Sequence, residues 1–478
     1  DLISEVPAER WDWQLYQGDP KTEKNKTNSK WGGFINHIDK FDAGFFEISN
    51  QEADLMDPQQ RIFLETVWKT IEDAGHNPSS LAGSKTGVFV GVGASDYVDV
   101  LRESRVDVVG YSATGMSHSL LANRVSYLFD FRGPSEPVDT ACSSSLVAIH
   151  RAVEAINSGS CEMALAGGVN ALLSPSLYLS LGHAGALADD GRCKTFDAKA
   201  DGYVRGEGAG AILLKKLSQA EADGDHIYGV LRGTGVNHGG NATALTAPNP
   251  KAQAELLMDI YRKSDTDPAS IDYIEAHGTG TALGDPVEIN ALKKVFKTLA
   301  AEGQQDMPVA TCGLGTVKSN IGHLETAAGI AGVIKVLLAM KHKALPASIH
   351  FNELNPHIQL ENSPFYILDQ NREWPVKTDQ AGRSIPRRAG ISSFGFGGAN
   401  AHVLIEEYPA KVSAMASALQ DKVMVPLSAK TPEQLMQKAQ DLLAFIKRQS
   451  SDLELASLAY TLQVGREAME ERLGFMVT

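Results

Sequence analysis

Short apolar runs at Thr86–Val92, Met163–Gly168, Ala209–Leu214 and Ile227–Leu231 alternate along the chain with helical patterns at Gln60–Ala74 and Lys251–Lys263. Strands interleaved with helices in this way build sheets covered by helices, so the chain reads as α/β. Its 478 residues, 43% of them hydrophobic, suffice for a large core and permit two or three domains. A net charge of −14 with no run of basic residues argues against general nucleic-acid binding. The longest apolar stretch, Ala327–Met340, is broken by Lys335 and contains two glycines, so it does not span a bilayer and no membrane partner is expected. Cys142, Cys161, Cys193 and Cys312 are widely and irregularly spaced, which offers neither a metal pattern nor a disulfide framework and fits a reducing cytoplasm. The stretch Gly206-Glu207-Gly208-Ala209-Gly210 lacks the spacing of a dinucleotide fingerprint.

One cysteine stands apart. In Gly133-Pro134-Ser135-Glu136-Pro137-Val138-Asp139-Thr140-Ala141-Cys142-Ser143-Ser144-Ser145-Leu146, a strand-like segment turns sharply into a helix whose apolar face is Leu146, Ile149, Val153 and Ile156. The N-terminus of that helix aims unpaired N–H groups and partial positive charge at the thiol. Both favour thiolate, and the same N–H groups can bind an oxyanion when sulfur attacks a carbonyl.

Two histidines end apolar, strand-like runs: His277 in Tyr273-Ile274-Glu275-Ala276-His277-Gly278-Thr279-Gly280-Thr281, and His323 in Lys318-Ser319-Asn320-Ile321-Gly322-His323-Leu324-Glu325. Small residues after His277 allow a ligand close to the backbone, and two Thr hydroxyls can hydrogen-bond it. A further segment, Ser392-Ser393-Phe394-Gly395-Phe396-Gly397-Gly398-Ala399-Asn400-Ala401-His402, reads either as a tight turn between buried strands or as a loop that brings N–H groups to a reacting centre.

Taken in order, these motifs resemble the ketosynthase domain of a modular polyketide synthase. The likeness runs from about Trp31 to about Glu407 and includes Asp57-Pro58-Gln59-Gln60-Arg61, Gly191-Arg192-Cys193-Lys194-Thr195-Phe196-Asp197 and Gly202-Tyr203-Val204-Arg205-Gly206-Glu207-Gly208. The resemblance implies a thiolase fold of five alternating αβαβα layers and a two-fold homodimer. It implies that Cys142 accepts an acyl chain from an upstream acyl carrier protein. His277 and His323 then assist decarboxylation of a malonyl unit on the downstream carrier, and the enolate attacks the Cys-bound acyl group. By the same carry-over, the backbone N–H groups of Cys142 and Phe396 form the oxyanion hole. Thr279 and Thr281 hold the phosphopantetheine arm, with Phe394 and Asn400 also on the substrate side. Lys318 and Glu288 form a buried supporting pair that orders the second histidine. No cofactor is permanently bound and no metal is used; substrates travel on the phosphopantetheine of carrier proteins.

The Gly-Pro-Ser-Glu-Pro lead-in resembles members served by a trans-acting acyltransferase, so the other modules of a megasynthase are implied partners. For carrier docking, Lys341, Lys343, Arg387 and Arg388 are candidate basic residues. Two further readings stand beside elongation: a non-elongating ketosynthase, which typically lacks the second histidine, and a coenzyme A-dependent thiolase-like enzyme, which would carry a second cysteine near the glycine-rich loop. The start, Asp1-Leu2-Ile3-Ser4, lacks the opening strand that the resemblance leads one to expect, a mark of omitted residues. Three segments are expected: a ketosynthase domain at 1–408, an Ala- and Ser-rich linker at 409–427, and the beginning of a small α/β adaptor at 428–478. In that adaptor Pro432–Arg448 reads as a helix with Leu435, Ala439, Leu442 and Phe445 on one side.

Overall fold

The computed structural model describes residues 1–304, 306–378, 382–409, 422–448 and 453–477. Two sheets form its frame. The first holds β1 (Thr86–Gly91), β2 (Ser135–Val138), β3 (Met163–Asn170) and β4 (Gly208–Lys215) in the order β2-β1-β3-β4, with β4 antiparallel to β3 and the other pairs parallel. The second holds β5 (Val230–His238), β6 (Tyr273–Glu275), β7 (Cys312–Gly315), β8 (Phe365–Ile367), β9 (Arg388–Phe394) and β10 (Ala399–Glu406) in the order β8-β7-β6-β9-β10-β5. Strands β8, β7, β6 and β9 run parallel, and β10 is antiparallel to both β9 and β5.

Helices α1 (Pro58–Asp73) and α2 (His118–Leu128) cover the outer face of the first sheet, α3 (Ser144–Asn157) and α6 (Ala328–His342) fill the space between the sheets, and α4 (Pro250–Lys263) and α5 (Gly284–Glu302) cover the second. The five layers follow from side-chain alternation along the strands. Phe89, Ala164 and Ala166 point to the central layer while Val88, Val90, Leu165 and Val169 face α1 and α2. Likewise Tyr273, Ala401, Val403 and Ile405 point inward, and Ile274 and Leu404 outward. Parallel strands covered on both faces are apolar throughout, which is why the first and second runs read so clearly in sequence.

The two central helices lie close together because small residues meet where they touch. A Cβ on Gly329 would come within 2.5 Å of Leu146 Cγ, and the Ser145 hydroxyl accepts the Ile330 N–H at 3.0 Å. Each central helix leaves its own sheet at the end of a parallel strand. Their N-terminal turns, Ala141–Ser143 and Glu325–Ala327, therefore pack against one another.

Two boundaries differ from the sequence reading. Helix α1 starts at Pro58, ahead of the apolar pattern, because the Asp57 carboxylate accepts the Gln59 N–H at 2.8 Å and proline suits the first helical position. Strand β5 begins later than expected and continues to His238 through Gly233 and Gly235, where a Cβ would approach Ile260 side-chain atoms to 2.8 Å. Those glycines let β5 lie against α4, and they also hide it from propensity.

Residues Ile3–Glu5 form a strand antiparallel to Trp31–Gly33, which pairs in parallel with Arg205–Gly206 outside the two main sheets. At the other end β11 (Val423–Ala429) pairs antiparallel with β12 (Glu471–Val477), flanked by α7 (Pro432–Arg448) and α8 (Leu455–Val464). Strand β11 crosses the expected boundary between linker and adaptor at 427, and most of that linker, 410–421, lies outside the described residues. On α7, Leu435, Ala439 and Leu442 are half-buried as the pattern implies, but Phe445 is exposed. Among the described residues no helix is long and apolar enough to cross a membrane.

The core also carries a buried histidine. His402 on β10 is fully buried, with Nδ1 at 2.9 Å from the Ser392 hydroxyl and Nε2 at 3.2 Å from the Tyr261 hydroxyl, and burial lowers its pKa to about 3. The folded chain keeps this ring neutral, whereas the unfolded chain takes up a proton below pH 6.5. Stability is then lost as pH falls from 6.5 towards 3, by roughly 1.4 kcal/mol per unit when the site is the sole contributor. His402→Gln is expected to reduce the difference in urea midpoint between pH 7.5 and pH 5; an unchanged difference would refute this assignment.

Candidate active site

The segment after β2 is a strained elbow. Ala141 adopts φ 56°, a left-handed conformation that a residue with a Cβ rarely takes. Short local bonds hold it there. Asp139 Oδ1 accepts the Ala141 N–H at 3.1 Å, and the Ser144 hydroxyl accepts the Thr140 N–H at 2.9 Å while donating to the Ala141 carbonyl at 2.6 Å. From β9, the Ser393 hydroxyl donates to the Cys142 carbonyl at 2.6 Å. The serines after Cys142 thus fasten the elbow as well as fitting a crowded first turn.

The Cys142 side chain lies against its own backbone N–H and that of Phe396. Here the sequence expectation needs correcting. Burial pushes the thiol up to about 12, the Glu325 charge adds to this, and Lys318 with the two N–H groups only partly opposes it. The resting side chain is therefore a neutral thiol. Cys142 as a residue is half-buried.

His277 and His323 meet edge to face, with ring centroids 5.5 Å apart. Each Nδ1 accepts a backbone N–H: His277 from Phe394 at 3.3 Å and His323 from Glu325 at 2.9 Å. An Nδ1 that accepts leaves the ring proton on Nε2, so both rings present Nε2–H donors. Burial, with Lys318 second, drives both pKa values well below the ordinary histidine value, so both rings are neutral. His323 Nε2 is buried and has no hydrogen-bond partner in the protein.

Lys318 and Glu288 are both 3% exposed, but they do not form the expected pair. The Glu288 carboxylate accepts the N–H groups of His277 and Gly278, at 2.8 and 2.9 Å, and no ion pair or hydrogen bond joins it to Lys318. Glu288 thus fixes the backbone after β6, and burial raises its pKa to about 7. Burial lowers the Lys318 pKa, and the side chain acts on Cys142 and both histidines through its charge.

The glycine-rich segment satisfies both of its sequence readings. It is a tight turn between buried strands β9 and β10, closed by Gly398 N–H to the Gly395 carbonyl at 2.8 Å, and it also reaches the thiol. That approach needs Gly395, whose Cβ would sit 2.3 Å from the Thr140 carbonyl oxygen. The Phe394 ring packs 5.6 Å from His277, whereas the Phe396 side chain is 63% exposed. Asn400 is buried and donates to Asn237 on β5 at 3.0 Å, which makes it an interstrand tie. The Thr279 and Thr281 hydroxyls lie 3.1 Å apart on the partly open stretch after His277. Of the basic residues considered for docking, Arg387 is 4% exposed and paired with Glu407, and Arg388 is paired with Glu406. Neither can serve as a free surface cation.

Several residues at the site had no role in the sequence reading. The Tyr203 ring lies tilted 5.0 Å from His323 and its hydroxyl pKa is driven well above the ordinary value by burial. His238, at the end of β5, takes the Gly240 N–H on Nδ1 at 2.9 Å and places Nε2 3.0 Å from the Gly397 carbonyl, tying the glycine turn to the neighbouring loop. These contacts join segments far apart in sequence, and no local pattern signals them. Among the described residues no group of three or more His, Cys, Asp or Glu could hold a metal ion. An apolar groove of about 630 Å³ and a mixed one of about 690 Å³, the latter also meeting Asp73, His76, Lys215 and Asp225, run beside β4, and neither includes a site residue.

The chain matches the model of the beta-ketoacyl synthase N-terminal domain over residues 1–220, that of the C-terminal domain over 228–352, and that of a RhiE-like KS-MAT linker domain over 426–478. It is 56% identical over 483 aligned residues to polyketide synthase PksN of Bacillus subtilis and 49% identical over 488 to PksL of the same organism, in each case across 100% of this chain. It spans about a tenth of those relatives' length, 9% and 11%. The ketosynthase from module 6 of the bacillaene synthase of Bacillus subtilis superposes with a TM-score of 0.88 at 42% identity, covering 100% of this chain and 77% of that one. An oxazolomycin ketosynthase domain, OzmH KS7 of Streptomyces albus, gives 0.92 at 42% identity, covering 100% and 81%. A cysteine elbow and two neutral Nε2–H histidines, linked through β9 by Ser393 on the Cys142 carbonyl and Phe394 on His277, on a five-layered frame matched along its length by solved ketosynthases, place the chain in the beta-ketoacyl synthase family.

Proposed function

We propose that this chain extends a polyketide by decarboxylative Claisen condensation. The observation that carries the reading is the pair of neutral imidazoles, tied through Phe394 and its neighbour Ser393 to the Cys142 elbow, with His323 Nε2–H buried and unpartnered. An unsatisfied buried donor costs stability in the resting protein and is repaid only when an acceptor arrives. An enolate oxygen is such an acceptor.

In loading, the Cys142 sulfur attacks the acyl thioester on an upstream carrier protein as its proton departs. The tetrahedral oxyanion lies between the N–H groups of Cys142 and Phe396, and the carrier thiolate leaves and takes up a proton. In condensation, the malonyl thioester on the downstream carrier loses carbon dioxide, and the enolate oxygen accepts from His277 and His323. The enolate carbon attacks the acyl carbonyl, expelling the Cys142 thiolate, which is reprotonated from solvent. Donors placed for charge that develops only in the transition state act most strongly in such a dry setting, at about 3 kcal/mol each. Thr279 and Thr281 hold the phosphopantetheine arm, and Lys318 supplies positive charge that steadies both anionic states. Glu288 fixes the His277 backbone.

The same reading assigns residues 1–408 to the condensing domain and those after 427 to the beginning of an adaptor. It also has the chain acting in the cytoplasm, as a homodimer with one site per subunit, beside the other modules of a megasynthase. The Gly133–Pro137 lead-in supports extender supply by a separate acyltransferase. Incubation with an acyl thioester and carrier protein bearing carboxyl-labelled malonate should release labelled carbon dioxide and yield a β-ketoacyl carrier. Release with no β-ketoacyl product, or transfer of the acyl group unchanged, would contradict elongation.

A further inference from the structure

Behind His323 lies an ion pair that the reaction does not touch. Arg205, 1% exposed, donates from Nε and Nη2 to the two carboxylate oxygens of Glu325, at 2.6 and 3.0 Å. Its guanidinium lies 4.8 Å from the centre of the Tyr178 ring, inside the protein. Glu325 is itself unusual, with φ 47°, a left-handed conformation for a residue with a Cβ, in the turn that opens α6. Its backbone N–H is the group that His323 Nδ1 accepts at 2.9 Å. Backbone bonds complete the clamp, because His323 N–H donates to the Val204 carbonyl at 2.7 Å and Gly206 N–H donates to the His323 carbonyl at 2.8 Å. One short segment, 204–206, thus grips residues 323–325 through both main chain and side chain.

We propose that Arg205 and Glu325 are positioning residues for His323: their ion pair holds the 323–325 turn in its left-handed conformation, keeping the Glu325 N–H on Nδ1 and the Nε2–H aimed into the cleft. The turn is strained and needs external support, and a bidentate guanidinium–carboxylate pair supplies direction as well as attraction. Were the turn to relax, the Glu325 N–H would swing off Nδ1 and the ring could take either tautomer. In the wrong one, Nε2 offers a lone pair where the developing oxyanion needs a donor. Arg205 also neutralises a carboxylate that would otherwise stand unbalanced beside the ring. The groups facing His323 are Lys318, His277 and Arg205, the Tyr203 ring and Glu325 itself. With Arg205 neutral, the Glu325 charge favours imidazolium and the ring protonates at higher pH.

This inference rests on the condensing role proposed above, so its test includes a readout that does not depend on turnover. In nitrogen-15 histidine-labelled protein, the His323 resonances are identified by their loss in His323→Asn. The wild type should show an unprotonated Nδ1 and a protonated Nε2, and Arg205→Gln should show averaging between tautomers. Kinetically, Arg205→Gln and Glu325→Gln should lower kcat for condensation about tenfold or more, with KM for malonyl carrier changing less than about twofold and Cys142 loading not falling by more than about twofold, since loss of the Glu325 charge in the second variant favours the thiolate. The acid limb of condensation should rise by about one pH unit in Arg205→Gln and return in Arg205→Lys. Should Arg205→Gln fail to fold, the near-isosteric Glu325→Gln carries both readouts. An unchanged tautomer together with wild-type condensation in a folded variant overturns the proposal, as does an equal loss of loading and condensation at every pH. If the wild type loads but never condenses while the tautomer still shifts in the variants, the functional reading fails and the positioning role stands.

Discussion

Cys142→Ala is expected to form no acyl adduct with any thioester donor and to make no condensation product, while unfolding at the same temperature as the wild type. The substitution removes one sulfur from a half-buried residue, so it leaves no sizeable core cavity. His323→Ala should behave differently. It keeps Cys142, the Phe396 N–H and the strained elbow, so loading continues, but it removes a buried Nε2–H donor and should slow condensation by about 10²–10³-fold. Mass spectrometry of the loaded enzyme and product analysis separate the two steps. Loss of loading in His323→Ala would mean that this ring takes the thiol proton, and the division of labour proposed here would fall.

Gly395→Ala should be nearly as severe for a purely steric reason. The added methyl would sit 2.3 Å from the Thr140 carbonyl and 3.2 Å from the Ser143 hydroxyl, and the carbonyl is rigid backbone on the elbow itself. Either the turn moves off Cys142, taking the Phe396 N–H with it, or the elbow yields. Loss of one oxyanion donor costs about 10²–10³-fold in turnover, so both loading and condensation should fall by that order. Gly397→Ala provides the control, since its Cβ would meet nothing within 4 Å. Comparable rates for the two variants would show that the turn does not supply the donor.

What could be read from the sequence was what local chemistry writes into it. The strand–Cys–Ser–Ser–Ser–helix grammar placed the elbow, because a helix N-terminus and its crowded first turn select recognisable residues. The small residues after His277 and the double glycine of the turn marked the other two walls. The charge state of Cys142 was not legible, because helix and cation effects are visible locally whereas burial, which outweighs them, is a property of the assembled layers. The Lys318–Glu288 contact failed for a related reason: an acid and a base thirty positions apart say nothing of distance, and Glu288 instead spends its carboxylate on two backbone N–H groups. Each of the two sheets delivers a helix to the interior from the end of a parallel strand, a likeness of topology that need not be repeated in residue identity. The pairs Arg205–Glu325 and Ser393–Cys142, separated by 120 and 251 residues, exist only once the sheets are stacked.

Intact-protein mass spectrometry of the wild-type chain through one cycle tests the condensing role most directly. Incubation with a simple acyl thioester should add one acyl mass at Cys142, and malonyl carrier protein should then discharge it, leaving the free enzyme and a carrier that bears β-ketoacyl in place of malonyl, its mass changed by the acyl addition less carbon dioxide. An adduct that passes unchanged to the carrier, or one that survives malonyl carrier protein intact, would contradict elongation as the chemistry of this site.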